Sequence, residues 1–231
     1  MGYTKMINFI ATEPEGGIRN LAGRIAGLLN DGYRVLWLVA GGSNIPIAVK
    51  VMAMIRDDVK PNRLKNLTVS QTDERYGSVG HADSNWQQLI VNQFDITGVR
   101  TLPVLRDLSL EQTELRWSED IENALASSDV SIGQFGIGAD GHIAGILPDS
   151  PALHENRKGK KSVVAYKACP FIRVTLTPAI IKRLNEAHVF AYGESKIKAL
   201  KDLREKDLSL AEQPAQILKS VKDATIYMAA V

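Results

Sequence analysis

Two periods of hydrophobicity alternate along this chain. Residues 6–12 (MINFIAT) alternate weakly and predict a first strand. Over 13–30 the apolar positions Ile18, Leu21, Ala22, Ile25, Leu28 and Leu29 recur at helical spacing, and Gly32 marks the stop. Residues 33–40 (YRVLWLVA) are nearly all apolar from Val35 onward, as in a strand buried on both faces, and run into Gly41-Gly42-Ser43-Asn44. Pro46 then opens a helical pattern through Ile47, Val51, Met54 and Ile55. Proline costs little there, because the amide it lacks has no partner in a first turn.

The pattern continues in the same alternation. Residues 57–66 are charged and read as a connection; 67–71 (LTVSQ) form a short strand that ends in Thr72-Asp73-Glu74-Arg75. A loop (YGSVGHADS) leads to a helix over 85–94. Residues 102–105 suggest a brief strand, which Pro103 places at an edge. A helix over 109–126 precedes a strand over 130–137, which delivers a turn containing Gly136, Gly138 and Gly141. Then come a basic hairpin candidate at 159–161, a strand over 171–177, and a helix from Pro178 through Ile181 and Leu184. A strand over 188–192, a helix start over 194–204, a short helix over 214–220 and a final strand over 225–231 complete the chain. Such alternation predicts an α/β fold with a mainly parallel sheet covered on both faces. No repeat, low-complexity tract or long linker divides it, so 1–231 reads as a single domain.

Composition narrows the function classes. Apolar content of 45% and charged content of 23% are ordinary for a globular protein. With 28 basic and 26 acidic residues the net charge is +2, too small to imply nucleic acid or a membrane as partner. The lone Cys169 excludes an internal disulfide and suggests a cytoplasmic protein; lying before Pro170 with no histidine near it, it reads as a buried small apolar residue. The first residues (MGYTKMINFIATEP) lack the apolar core of a signal peptide, and no run approaches the roughly 20 apolar residues of a membrane span. His81, His142, His154, His188 and Cys169 form no metal-ligand spacing, so neither metal nor cofactor is expected.

Candidate chemistry gathers where strands end. Ligands of open α/β sheets bind beyond the carboxyl ends of the strands, so four exits are expected on one edge. Gly41-Gly42-Ser43 before a helix offers amides and a hydroxyl to an anion, though it is neither a Walker loop nor a GxGxxG fingerprint, and an ordinary strand–helix turn is the plain alternative. Asp73-Glu74-Arg75 puts three charges directly after an apolar strand; a solvated loop is the plain alternative. Asp140 and His142 lie two residues apart in the glycine turn, as proton transfer near neutral pH requires, and a merely structural turn is the alternative there. Arg173, on the strand face opposite Ile172 and Val174, and Lys196, in the turn GESK, offer a bidentate and a point cation for a phosphate, or simple ion pairs.

GGS at 41–43, DER at 73–75, SN at 84–85, GxGxDGHxA at 136–144, LP at 147–148, RVTLT at 173–177 and GxxKxxAL at 193–200 occur in this order. Together they resemble the 6-phosphogluconolactonases, within the glucosamine-6-phosphate isomerase/6-phosphogluconolactonase superfamily, over most of the chain from Leu38 to Leu200. The resemblance implies a Rossmann-like fold, a phosphorylated sugar lactone as substrate and a metal-free site. It also implies hydrolysis of 6-phosphogluconolactone to 6-phosphogluconate, in the oxidative branch of the pentose phosphate pathway. Carried over, Gly41, Gly42 and Ser43 belong to the phosphate loop with Arg173 and Lys196, Arg75 contacts substrate, and His142 is the catalytic base and acid. Asp140 or Asp73 supports its ring. The expected partner is a small phosphosugar lactone, and the expected state a monomer or weak homodimer.

The chain also departs from that family. After His142 it carries Ile143-Ala144-Gly145-Ile146-Leu147-Pro148 where the lactonases typically have Thr and then Ala-Ser-Leu-Phe-Pro, and Tyr76-Gly77 replaces Val-Pro. The deaminase branch also carries isoleucine after the histidine, but it needs an acid five positions after it, where this chain has Leu147, and reads Met-Asp-Glu-Tyr where this chain has Thr72-Asp73-Glu74-Arg75. A sugar-phosphate sensor without turnover is the alternative from outside enzymology, although it would not need both Asp140 and His142.

Overall fold

The computed structural model describes residues 7–153 and 161–230. Its frame is a seven-stranded parallel sheet built from β1 (Asn8–Ala11), β2 (Val35–Val39), β3 (Leu67–Gln71), β5 (Arg100–Leu102), β6 (Val130–Phe135), β9 (Glu186–Phe190) and β10 (Asp223–Met228). The spatial order is β1-β10-β9-β6-β2-β3-β5. Every residue of β2 is buried, because both faces of the sheet are covered. Val35, Trp37 and Val39 enter one core layer with α1 (Pro14–Asn30), α2 (Ile45–Asp58) and Leu89 of α3 (Asn85–Val91). Leu36 and Leu38 enter the other, with α4 (Leu110–Ser127), α5 (Pro178–Ile181) and α6 (Ile197–Glu205). Burying each such aliphatic side chain contributes about 1.5–3 kcal/mol, so the apolar strands set the sheet centre.

Chain direction reverses about one seam. From β2 the next strand, β3, lies on one side, whereas from β6 the next strand of this sheet, β9, lies on the other. β2 and β6 are neighbours in parallel register, Val35 opposite Val130 and Leu38 opposite Gly133. Beyond the carboxyl ends of these two strands the loops part, which is where such sheets open a crevice.

A second sheet of three antiparallel strands stands beside that crevice: β4 (Asp73–Arg75), β8 (Phe171–Leu176) and β7 (Val163–Ala168). It corrects two expectations. Asp73-Glu74-Arg75 is a strand and not a solvated loop, because it pairs with β8, Asp73 opposite Thr175 and Arg75 opposite Arg173. Arg173 therefore reaches the site from this small sheet and not from an exit of the main one. The hairpin expected at 159–161 lies, apart from Lys161, outside the described residues; the described hairpin, β7–β8, turns at Cys169-Pro170. In that turn Cys169 is exposed and not buried, since it lies at the end of a hairpin away from the core. The strand expected at 102–105 is β5, Arg100–Leu102, which ends before Pro103 and lies at the edge of the sheet. No helix among the described residues is long and apolar enough to cross a membrane.

Candidate active site

The crevice holds a cavity of about 330 Å³ lined by Gly41, Gly42, Ser43, Asp73, Arg75, His142, Arg173 and Lys196, together with Asn44, Asn85 and parts of the glycine turn at 136–138 and 144–145. All eight of those expected site residues thus share one cavity. Asp140, the ninth, lies behind His142 and does not line it. A larger furrow, about 1000 Å³, runs along α4 between Glu111 and Arg183, but its charged walls are already paired: Lys161 with Glu114 and Arg183 with Glu122.

Strand alternation explains how DER is divided. In a three-residue strand the first and third side chains share a face and the second takes the other. Asp73 and Arg75 accordingly face the cavity. Glu74 points the opposite way and is fully buried. There it accepts hydrogen bonds from the amides of Arg75 (2.7 Å), Asn85 (2.7 Å) and Trp86 (3.0 Å), from Ser84 Oγ (2.9 Å) and from Gln71 Nε2 (2.5 Å). Asn85 and Trp86 open α3, so this carboxylate occupies a helix N-terminus, where negative charge is favoured. Burial nonetheless outweighs those bonds and pushes its pKa up. Glu74 is thus a clamp between β4 and α3.

The turn that carries Asp140 and His142 is clamped as well. Asp140 Oδ1 accepts from the His142 ring at Nδ1 (2.7 Å) and from the His142 amide (3.1 Å). This identifies which acid touches the ring: Asp140, not Asp73. Burial opposes its charge, but the His142 amide and ring outweigh that and hold its pKa below the usual carboxylate value. An ionised acceptor on Nδ1 keeps a proton there and leaves the Nε2 lone pair free. The pair lies so close over Gly138 that a β-carbon there would be 2.1 Å from His142 Nδ1. Only glycine fits.

Gly145, unexplained by sequence, has a similar cause. Its φ is +69°, and a β-carbon would lie 2.7 Å from Asp73 Oδ2. Removing that side chain lets the loop close on Asp73. Tyr166 Oη donates to the Gly145 carbonyl (2.6 Å) and accepts from the Leu147 amide (3.3 Å), while Thr175 Oγ1 donates to the Ala144 carbonyl. Ile143, the other departure, is fully buried in the core. Leu147 packs against the same core and does not line the cavity.

The cavity is rich in positive charge. Three cations, Arg75, Arg173 and Lys196, face one carboxylate, Asp73. Arg75 and Arg173 stand directly opposite each other on the ladder, a like-charge arrangement that is destabilising by itself. Asp73 Oδ2 lies 3.8 Å from Arg173 Nη1 and is too far for a hydrogen bond. Arg75 donates to the Asp83 carbonyl (2.8 Å) and lies over the Phe171 ring. Lys196 has no ion-pair partner among the described residues, and burial lowers its pKa. The Nε atoms of both arginines are buried without a hydrogen-bond partner among the described residues. An anion placed between these groups would relieve all of this at once.

Asn85 was visible in the sequence only as part of SN. Its side chain is buried, donates to the Asp73 carbonyl (2.9 Å), and packs against Gly41, so it ties the Gly41-Gly42-Ser43 loop to β4. The capping Ser84, which accepts from the Gln87 amide, is the signal that could have placed this asparagine at a helix start.

The family model described as glucosamine-6-phosphate isomerases/6-phosphogluconolactonase matches residues 16–227. The human 6-phosphogluconolactonase is 23% identical over 173 residues, covering 72% of this chain and 67% of that protein. The crystal structure of a 6-phosphogluconolactonase from Shewanella baltica has a TM-score of 0.80 at 20% identity, covering 99% of this chain and 100% of its own. A monomeric glucosamine-6-phosphate deaminase is similar in fold too, with a TM-score of 0.76 at 19% identity over 96% of this chain and 97% of its own. Fold likeness alone therefore does not divide the two activities. On the family match, the chain belongs to the glucosamine-6-phosphate isomerase/6-phosphogluconolactonase family.

Proposed function

We propose that this chain hydrolyses 6-phospho-D-glucono-1,5-lactone to 6-phosphogluconate, the lactone step of the oxidative pentose phosphate route. The observation that carries the reading is a histidine–carboxylate pair and three cations meeting at one 330 Å³ cavity. The phosphate sits on the Gly41–Ser43 amides and the Ser43 hydroxyl, with Arg173 and Lys196 supplying charge. His142 Nε2 takes a proton from water as its oxygen bonds to the lactone carbonyl carbon. The resulting oxyanion is stabilised by Arg75 and loop amides, a contribution of about 3 kcal/mol for a well-placed donor. The bond to the ring oxygen then breaks, and the proton on Nε2 passes to that oxygen. Asp140 supports the imidazolium formed between the two transfers. Asp73, 3.8 Å from Arg173, faces the sugar hydroxyls.

Leu147 argues against amine release from glucosamine 6-phosphate. It packs on the core, so no acid occupies the position at which the deaminase branch uses one. The human and Shewanella baltica proteins named above carry the lactonase name, which favours the same reading. The test offers both substrates to the purified protein: lactone freshly made, followed by acid release at constant pH, and glucosamine 6-phosphate, followed by ammonia. Lactone hydrolysis well above the spontaneous rate with no ammonia is expected. Ammonia release without lactone hydrolysis points to the deaminase, and binding of 6-phosphogluconate with neither reaction points to a sensor.

A further inference from the structure

The turn that carries Asp140 and His142 leans on a segment that the chemistry above does not use. The Gly141 carbonyl accepts from the Ala215 amide (3.0 Å), and the Asp149 amide donates to the Ala211 carbonyl (2.9 Å). Between these two ties stands Gln213, only 3% exposed. Its Nε2 donates to the Ala199 carbonyl of α6 (2.7 Å), and its Oε1 accepts from Gln216 Nε2 (2.7 Å). Its Cγ presses on Gly141, where a β-carbon would be only 2.6 Å away. Gln213 does not line the substrate cavity. It borders a separate cavity of about 300 Å³ behind Asp140, shared with Lys198, Asp202 and Lys206. Both lysines there are paired with Asp202, at 2.7 and 2.8 Å, which leaves no free cation to hold Asp140 in place. Asp140 and His142 therefore have Gly141 between them, and Gly141 has Gln213 beneath it.

We propose that Gln213 is a positioning residue for the Asp140–His142 pair, acting as a strut from α6 to Gly141; the proposal rests on His142 being the base. The strut is held at both ends of its amide, so its aliphatic part presents a fixed surface to the turn. Without it, the turn is free to sink into the cavity behind Asp140, and the ring no longer meets substrate in one geometry. A displacement of about 1 Å at a reacting group is enough to cost a rate factor of up to about a hundred. The phosphate grip is made by other elements, so binding is expected to survive.

Two substitutions separate packing from hydrogen bonding. Gln213→Ala removes the atoms that touch Gly141. Gln213→Met keeps a carbon at the same place and gives up only the amide. Gln213→Ala is expected to lower kcat about tenfold with KM within about twofold, and Gln213→Met to stay within about threefold of wild type on both. Nitrogen NMR of ring-labelled histidine supplies a readout independent of turnover. Wild type and Gln213→Met should show His142 protonated at Nδ1, and Gln213→Ala should show exchange between tautomers. If Gln213→Ala does not fold, Gln213→Ser, which leaves only a small hydroxyl in place of Cγ and the amide, takes its place with a smaller fall in kcat expected. Unchanged kcat and an unchanged ring signature in the truncated variant overturn the proposal, as does an equal fall in Gln213→Met. A wild type that shows no lactone hydrolysis overturns the functional reading instead, and the ring signature of the variants then decides the strut by itself.

Discussion

At the scale of single residues, the proposed chemistry divides the site into groups that hold the substrate and groups that move a proton. Lys196 sits on the holding side, half-buried and without an acidic partner among the described residues. Lys196→Ala is expected to raise KM for the lactone about 10–100-fold while kcat changes less than about threefold, as loss of a charged contact to a buried phosphate implies. An unchanged KM in steady-state kinetics would remove Lys196 from the phosphate site. Asp140 sits on the moving side. Asp140→Asn keeps the shape but loses the anion that fixes the ring tautomer, so kcat should fall about a hundredfold at nearly constant KM. Much of this was legible from residue types alone: Asp140 and His142 two apart in a glycine turn, Ser43 at a helix start, Arg173 among apolar neighbours. What spacing left open was which carboxylate touches the ring. Asp73 and Asp140 are far apart in sequence, and only the turn geometry, in which Asp140 accepts from both the amide and the ring of His142, separates them.

At the scale of elements, the antiparallel strand β4 is the part that sequence did not announce. Three residues are too few to show a period, and Asp, Glu and Arg are poor strand formers, so pairing with β8 decides their conformation. Once β4 is a strand, alternation assigns Asp73 and Arg75 to the cavity and Glu74 to the N-terminus of α3. The buried Glu74 carboxylate gathers five donors, and its removal leaves them unpaired. Glu74→Ala is therefore expected to lower unfolding free energy by about 2–4 kcal/mol, read from the urea midpoint. A loss below about 0.5 kcal/mol would show that the clamp is not structural. Most helices and parallel strands, by contrast, were readable to within two or three residues of their ends, β5 excepted, because runs such as VLWLV and the stripe from Ile18 to Leu29 match what a covered parallel sheet demands. The departures at Ile143 and Gly145 also resolve here: the first fills the core beneath the loop, and the second makes room for Asp73.

At the scale of the whole molecule, the sheet separates chemistry from stability. The candidate cavity opens beyond the carboxyl ends of β2 and β6, at the seam where the connections diverge. Near the amino end of β9, Glu186 joins Arg24 (2.6 Å) and His188 (3.4 Å), and His188 contacts Tyr227 (3.0 Å). Burial opposes the charge on Glu186, but His188 and Arg24 outweigh it and bring its pKa down to about 2. A carboxylate whose folded pKa lies below its unfolded value of about 4.3 stabilises fully above that pH, and the contribution is lost as pH falls towards about 2. Allowing for the solvent exposure of Arg24, Glu186→Gln should be less stable than wild type by on the order of 2 kcal/mol at pH 7. Urea unfolding should show that difference shrinking as pH falls from about 4.3 towards 2; a difference independent of pH would contradict the assignment. Turnover at neutral pH should be unaffected, since the cluster touches no part of the cavity.

The central claim is that His142 moves the proton while a separate set of cations holds the phosphate. Its most direct measurement is the rate of lactone hydrolysis by wild type and by His142→Ala at saturating substrate, with binding of 6-phosphogluconate measured on both. The account predicts a kcat at least about a hundredfold lower in the variant and product affinity within about threefold of wild type. A variant that keeps the wild-type rate, or one that loses rate and product affinity together, would contradict it.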